Sequence, residues 1–420
     1  MKFFNFKMVS CFVVALYINF AYCTCITPNE LHDKSAHVNL VPKILIVWSS
    51  AKSGGVPKLL VTLYKKLVDS GIDISIFVDE NSYIRSELDE QKLPYFCARF
   101  ESKKNKEKSA LKNALVETLT TLCEKYDIKI IHANRPIEVS AALKVAENFK
   151  ITVIAQEHSY HLSQECFRGV HAFTATSPRV AMAMKKANDQ YALGIKVCDF
   201  LPPLTEEELF VDFVPQFKSK DEYFRKTFGI AISNAPTICM IANFSLCKNH
   251  GCLIRAVSEL IHVHKIPVHV ILAGEGSLHV KQRCRTLASV LRIDQYVHFV
   301  GFVHDIPSLL YYSNIKVLPS KGEAFSIAIM EAAFMQKTIV LSHHAGSAES
   351  IIKHKKTGLL FNPYDYQELA ACLKSLIENK NYACSLGKNV CDLVKKEYTS
   401  RAIVRRYVDF YKKAYELSKK

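Results

Sequence analysis

From Lys43 onward the chain alternates short apolar runs with longer stretches in which apolar residues return every three or four positions. The run Ile44-Leu-Ile-Val-Trp48 reads as a strand buried on both faces, as in a parallel sheet. Further strands are predicted at 74–78, 128–132 and 151–155, and the rhythm restarts at 238–242. Between them lie helical patterns, among them 58–68 and the repeat Leu111, Leu115, Leu119, Leu122. Strands alternating with helices predict an α/β protein with parallel sheets, right-handed crossovers and ligands at the carboxyl ends of the strands.

Residues 202–235 break this rhythm with Pro202-Pro203, an acidic run and a charged stretch, and so read as a linker region. The expected organisation is two Rossmann-like doubly wound domains facing a cleft, the first at 40–201 and the second at 236–395. A C-terminal helix at 396–420 follows, with Ile403, Tyr407, Phe410, Tyr411 and Ala414 on one side.

Length agrees with that division: 420 residues, 49% of them apolar, suffice for two cores of ordinary size. A net charge of +15 calls for an anionic partner. No zinc-finger, RNA-binding or helix-turn-helix spacing accompanies the charge, so nucleic acid is not expected among the partners. Basic residues gather at Lys103, Lys104, Lys106 and Lys108, and again at Arg405, Arg406, Lys412, Lys413, Lys419 and Lys420. Each group reads either as a solvated face or as a surface for peripheral membrane contact. The 14 cysteines are scattered, and several, such as Cys123, Cys239 and Cys372, fall at apolar positions, which fits reduced, buried thiols. Neither Cys23 with Cys25 nor Cys247 with Cys252 has a partner pair at zinc-site spacing, and with no aspartate-x-aspartate motif or histidine pair on one helix face in a convincing context, no metal is expected.

At the N-terminus Lys2 and Lys7 precede an apolar stretch at 8–23 that has the length of a secretory leader and is short for a membrane span. Residues 1–25 therefore read as a signal peptide or membrane anchor, or as an artefact of a start upstream of Met8.

The chemistry-bearing segment is Ser320-Lys-Gly-Glu-Ala-Phe-Ser-Ile-Ala-Ile-Met-Glu331, directly after the apolar run 315–319. Glu323 falls in the loop that ends a strand, and Glu331 about two turns into the following helix, on the side facing that loop. The backbone N–H groups of Ala324, Phe325, Ser326 and Ile327 lack intrahelical partners there, and the helix dipole favours an anion such as phosphate. Carboxylates accept hydrogen bonds from sugar hydroxyls. Together these parts describe a pocket for a nucleotide diphospho-sugar.

The segment resembles the E-x7-E signature of the group 1 (family 4) glycosyltransferases, retaining enzymes with the GT-B fold. The resemblance extends through 338–342, Ala345-Gly-Ser-Ala-Glu349 and 356–361, and upstream through 270–276, 297–301 and 241–248, so it is dense over 236–378. It implies that Glu331 binds the ribose, that Glu323 binds the donor sugar, and that the amides of 324–327 lie near the diphosphate. Lys248 matches the lysine that neutralises the departing diphosphate, and Asn243 stands where the family usually carries an arginine, which removes a charge and a bidentate fork. Gly54 and Gly55 match the glycine turn of the first domain. His158 matches a histidine near the transferred sugar and reads equally as a structural hydrogen-bonding residue. Gly346 and Glu349 fit the family's glycine-rich loop, with Ala345 in place of its first glycine.

What the resemblance implies is a metal-independent, hexosyltransferase-like enzyme without a cofactor, using a nucleotide-sugar donor and a glycan or lipid-linked acceptor. Asn243 and Ala345 keep open the alternative of a non-catalytic nucleotide-sugar-binding or scaffolding protein. An active site on the cytoplasmic face of a membrane is expected, with a secretory lumen or export left open by the N-terminal segment.

Overall fold

The computed structural model describes residues 41–50, 55–99, 108–159, 167–233 and 235–420. The N-terminal segment, the basic residues 103–106 and Gly54 lie outside the described residues.

Two parallel sheets form the frame. The first contains β1 (Ile44–Trp48), β2 (Ile74–Asp79), β3 (Phe96–Ala98), β4 (Ile130–Ala133), β5 (Thr152–Glu157), β6 (Ala172–Ala175) and β7 (Val197–Phe200), in the order β3-β2-β1-β4-β5-β6-β7. The second contains β8 (Thr237–Ile241), β9 (His269–Ala273), β10 (Val297–Gly301), β11 (Ile315–Leu318), β12 (Thr338–Ser342) and β13 (Leu359–Phe361), in the order β10-β9-β8-β11-β12-β13. Strand order reverses at β1/β4 in one sheet and at β8/β11 in the other, which opens a crevice at the carboxyl ends of those strands. β1 and β12 are buried along their whole length, as strands covered by helices on both faces must be.

The strand expected at 128–132 begins at Ile130 instead. Asp127 takes a left-handed backbone conformation (φ 53°), and the amides of Lys129 and Ile130 both bond the Lys43 carbonyl, so the chain is still turning at Ile128. β3, β6 and β7 are only three or four residues long and had no apolar run that announced them.

The expected linker carries two helices, Glu208–Val211 and Lys220–Phe228, and the second runs between two good caps. Ser219 accepts from the Glu222 amide, the Glu222 side chain accepts from the Lys218 amide, and Gly229 closes the helix at φ 71°. Tyr223 stacks on Tyr312 with ring centroids 4.6 Å apart, which joins this helix to the second domain.

The last helix, Ser400–Ser418, crosses back to the first sheet. Its buried Tyr411 hydroxyl bonds His132 Nδ1 on β4 at 2.8 Å, and Tyr407 accepts from Gln156 Nε2 on β5 at 3.1 Å. Arg406 donates to the Phe200 carbonyl at the end of β7. Among the described residues the cysteines are free, and no helix is long and apolar enough to cross a membrane.

Lys316 in β11 breaks the otherwise apolar pattern: it is 0% exposed, and its Nζ has no hydrogen-bond partner among the described residues. Burial pushes its pKa down to about 8 from an ordinary value of 10.5. The depressed value means that the charged lysine destabilises the fold below about pH 8, and that stability is regained as pH rises from there toward the unfolded-state value. Lys316→Met is therefore expected to raise stability by about 1–3 kcal/mol at pH 7, with no gain above about pH 10.5, read by urea unfolding at both pH values. Tyr411→Phe, which strands His132 Nδ1 in the core, is expected to cost about 1–3 kcal/mol in the same measurement.

Candidate active site in the interdomain cleft

The loop after β11 is fixed by a backbone contact before any side chain acts. Glu323 forms a parallel bridge with Ala345, and its carbonyl accepts from the Gly346 amide at 2.7 Å. A Cβ on Gly346 would stand 1.6 Å from the Ala324 carbonyl oxygen, so only glycine fits there. The Glu323 side chain, thus aimed, pairs with Lys248 from the turn Leu246–Lys248 and accepts from Ser320 Oγ at 3.2 Å. The two residues that the sequence assigned separate partners are therefore each other's partner in this structure.

The helix after this loop is Ile327–Phe334, so Glu331 lies little more than one turn in, not two. Ser326 is its N-cap, and the Ser326 amide donates to Ser347 Oγ at 2.9 Å. That corrects the expectation for Ser326, whose N–H is already used. Ala324 and Phe325 precede the helix in the loop, and Ile327 opens its first turn, where amides have no acceptor within the helix.

Glu331 is 7% exposed, and burial raises its pKa above the ordinary carboxylate value, while Lys58 and Lys316 act in the opposite direction and Glu206 adds to the rise. Lys58 comes from the helix Gly55–Asp69 of the first domain and Glu206 from the interdomain connection. With Thr62, Leu209 and Ile327 they surround a cavity of about 20 Å3, room for about one water. Gly55 starts that first-domain helix, and a Cβ there would meet nothing within 4 Å. Packing therefore does not demand a glycine at this position.

Asn243 follows β8 and is exposed. Its loop is pinned by Gly274 and Gly276: the Phe244 amide donates to the Glu275 carbonyl at 2.7 Å, and both glycines have φ near +140° (144° and 136°) with backbone where a Cβ would go. His158 follows β5, on the opposite wall, and bonds Asn134 Oδ1 through Nε2 at 2.9 Å. Burial holds its pKa down at about 3, so the imidazole is neutral.

Two contacts close the cleft across the domains. Arg179 pairs with Glu349, whose other oxygen accepts from the Arg179 amide at 3.0 Å, and Phe200 stacks on Phe325 at 6.5 Å. The sequence showed neither contact, because each half reads as an ordinary surface residue until the domains are brought together. Lys58, Glu206 and Arg179 were missed for the same reason. A larger recess, of about 990 Å3, lies on the second domain beside Asn249, Arg255, Arg283, Lys321 and Tyr364; Lys248, Glu323 and Glu331 do not line it. Among the described residues no cluster of three His, Cys, Asp or Glu side chains is arranged to hold a metal.

Residues 235–379 match the family described as Glycosyl transferases group 1. N-acetyl-alpha-D-glucosaminyl L-malate synthase of Bacillus anthracis is 26% identical over 48% of this chain and 51% of its own length. The N,N'-diacetylbacillosaminyl-diphospho-undecaprenol alpha-1,3-N-acetylgalactosaminyltransferase of Campylobacter jejuni is 31% identical over 52% of each. The chain thus spans about half the length of these curated relatives. Among solved structures, Anabaena Alr3699/HepE in complex with UDP and with UDP-glucose superposes with TM-scores of 0.73 and 0.72 at 20% and 21% identity, covering 87% and 88% of this chain and 98% of that one. With two parallel sheets around one cleft and the glutamates, lysine and glycine loop set in the second, the chain has the GT-B fold, and its residues 235–379 are similar to the group 1 glycosyltransferases.

Proposed function

We propose that the chain transfers a sugar from a nucleotide diphospho-sugar to a hydroxyl of a glycan or lipid-linked acceptor, with retention of the anomeric configuration and without a metal. The observation that carries this reading is the Lys248–Glu323 pair, at the loop that leads into the helix Ile327–Phe334. A diphosphate arriving there offers Lys248 a denser negative charge than one carboxylate. The lysine then turns to the phosphate, and the released Glu323 is free to accept from the donor-sugar hydroxyls.

During transfer the bond from the anomeric carbon to the diphosphate breaks, and a bond to the acceptor oxygen forms on the same face. The acceptor proton passes to the departing diphosphate, whose growing charge is met by Lys248 and by the amides of Phe325 and Ile327. A cation fixed where charge develops lowers the barrier instead of merely tightening binding. Glu331, desolvated in the closed cleft, accepts from the ribose hydroxyls. Since its cavity holds about one water, donor entry parts the Arg179–Glu349 and Phe200–Phe325 contacts.

Asn243 supports a slower enzyme, because an amide contributes no charge to the leaving group. The binding or scaffolding alternative rests on the same substitution. UDP, bound by the HepE relative, is the first donor base to test. Membrane contact through the basic C-terminal helix and an acceptor carried on a lipid fit the Campylobacter relative, a transferase named for N,N'-diacetylbacillosaminyl-diphospho-undecaprenol.

In a thermal-shift series with UDP, GDP, ADP and their sugar conjugates, without added metal, one nucleotide is expected to stabilise the full chain. That shift should vanish in Glu331→Ala. Stabilisation by none of them sinks the nucleotide-sugar reading. In a transfer assay with the selected donor, Lys248→Ala is expected to lower kcat by about 100-fold or more, and Asn243→Arg to raise it. An Asn243→Arg protein that transfers nothing, like the unsubstituted chain, points to the binding module.

A further inference from the structure

Behind His158 lies a hydrogen-bonded chain whose directions can be assigned. Glu138, in the first turn of the helix Pro136–Ala146, is 0% exposed and bridges the ends of β1 and β4. Its Oε1 accepts from the Ser49 amide at 2.7 Å and from Ser49 Oγ at 2.8 Å, and its Oε2 accepts from the Asn134 amide at 3.0 Å. Arg135 adds a bond to the Ser49 carbonyl at 2.8 Å. The backbone at Asn134 is thereby held in place.

The Asn134 side chain has a single orientation. Its Nδ2 donates to the Val47 carbonyl at 3.1 Å and to the His132 carbonyl at 3.4 Å, and carbonyls only accept. Oδ1 is therefore the atom turned to His158, and the bond to Nε2 at 2.9 Å requires that nitrogen to carry the proton. A neutral imidazole has one N–H, so Nδ1 is left as the acceptor. Nδ1 is buried and has no partner among the described residues. A buried acceptor without a donor is costly, and a ligand hydroxyl is a group that satisfies it.

We propose that Asn134 is a positioning residue that fixes His158 in its Nε2–H tautomer, so that Nδ1 receives a hydrogen bond from a hydroxyl of the bound sugar. The second half of this statement rests on the proposed glycosyl transfer; the first does not. Among the described residues, Asn134 is the group that dictates which nitrogen is protonated, and replacing it removes that control. His158 then distributes its proton between the two nitrogens and presents a donor to the hydroxyl for part of the time.

The test is nitrogen NMR of the full chain labelled with 15N-histidine, the His158 signals being identified by their loss in His158→Gln. The expected result is a protonated Nε2 and an unprotonated Nδ1 in the unsubstituted protein, a mixture in Asn134→Leu, and the original tautomer again in Asn134→Asp, which keeps an acceptor at Oδ. With the donor selected by thermal shift, Asn134→Leu is expected to lower kcat about tenfold, with the KM for the donor changed less than twofold, and Asn134→Asp to recover most of the loss. A protonated Nδ1 in the unsubstituted protein, or an unaltered tautomer in a folded Asn134→Leu, overturns the proposal. The expected tautomers together with no transfer by any of these proteins uphold the positioning role and overturn the substrate contact, so the failure of the glycosyltransferase reading is seen separately.

Discussion

The site depends on one close approach of backbone to backbone. Gly346 packs so tightly on Glu323 and Ala324 that no side chain fits between them, and its amide fixes the Glu323 carbonyl. This contact ties the loop after β11 to the loop after β12, two neighbouring strands of the second sheet. The direction of the Glu323 carboxylate, the reach of Lys248 to it and the start of the helix Ile327–Phe334 all follow from that tie. A methyl group at position 346 would push the loop away and separate the pair that the proposed chemistry uses.

The second constraint is desolvation. Glu331 on one domain and Lys58 on the other line a cavity of about 20 Å3, and burial there disfavours the charged carboxylate and raises its pKa, against the pull of Lys58 and Lys316. A ligand whose hydroxyls bond that carboxylate relieves the penalty. The same logic applies at His158, whose buried Nδ1 has no partner among the described residues. The Arg179–Glu349 and Phe200–Phe325 contacts hold the two domains together and offset part of that cost.

Much of this was legible in the sequence because parallel strands buried on both faces must be continuous apolar runs, as β1 and β12 are. Glu323, Glu331 and Lys248 were legible through spacing after such runs and through their resemblance to a known signature. The short strands β3, β6 and β7 were not, since their pairing is decided by neighbours far away in the chain. Contacts that exist only between domains, such as Lys58 with Glu331, leave no local pattern. Two residues did leave one that went unread: Lys316 inside an apolar strand, and Glu138 between Ile137 and Val139 on a helix face that had to be buried. A charge in the middle of an apolar run marks a buried ionisable group, hydrogen-bonded at Glu138 and without a hydrogen-bond partner among the described residues at Lys316.

The most direct test is a crystal structure of the full chain soaked or grown with a uridine diphospho-sugar, extended to the guanosine and adenosine conjugates. The account predicts the diphosphate against Lys248 and the Phe325–Ile327 backbone, the ribose on Glu331, Glu323 turned from Lys248 to the sugar, and the two domains moved apart relative to the empty protein. A nucleotide seated instead in the recess between Arg255 and Arg283, with the Lys248–Glu323 pair intact, would contradict it.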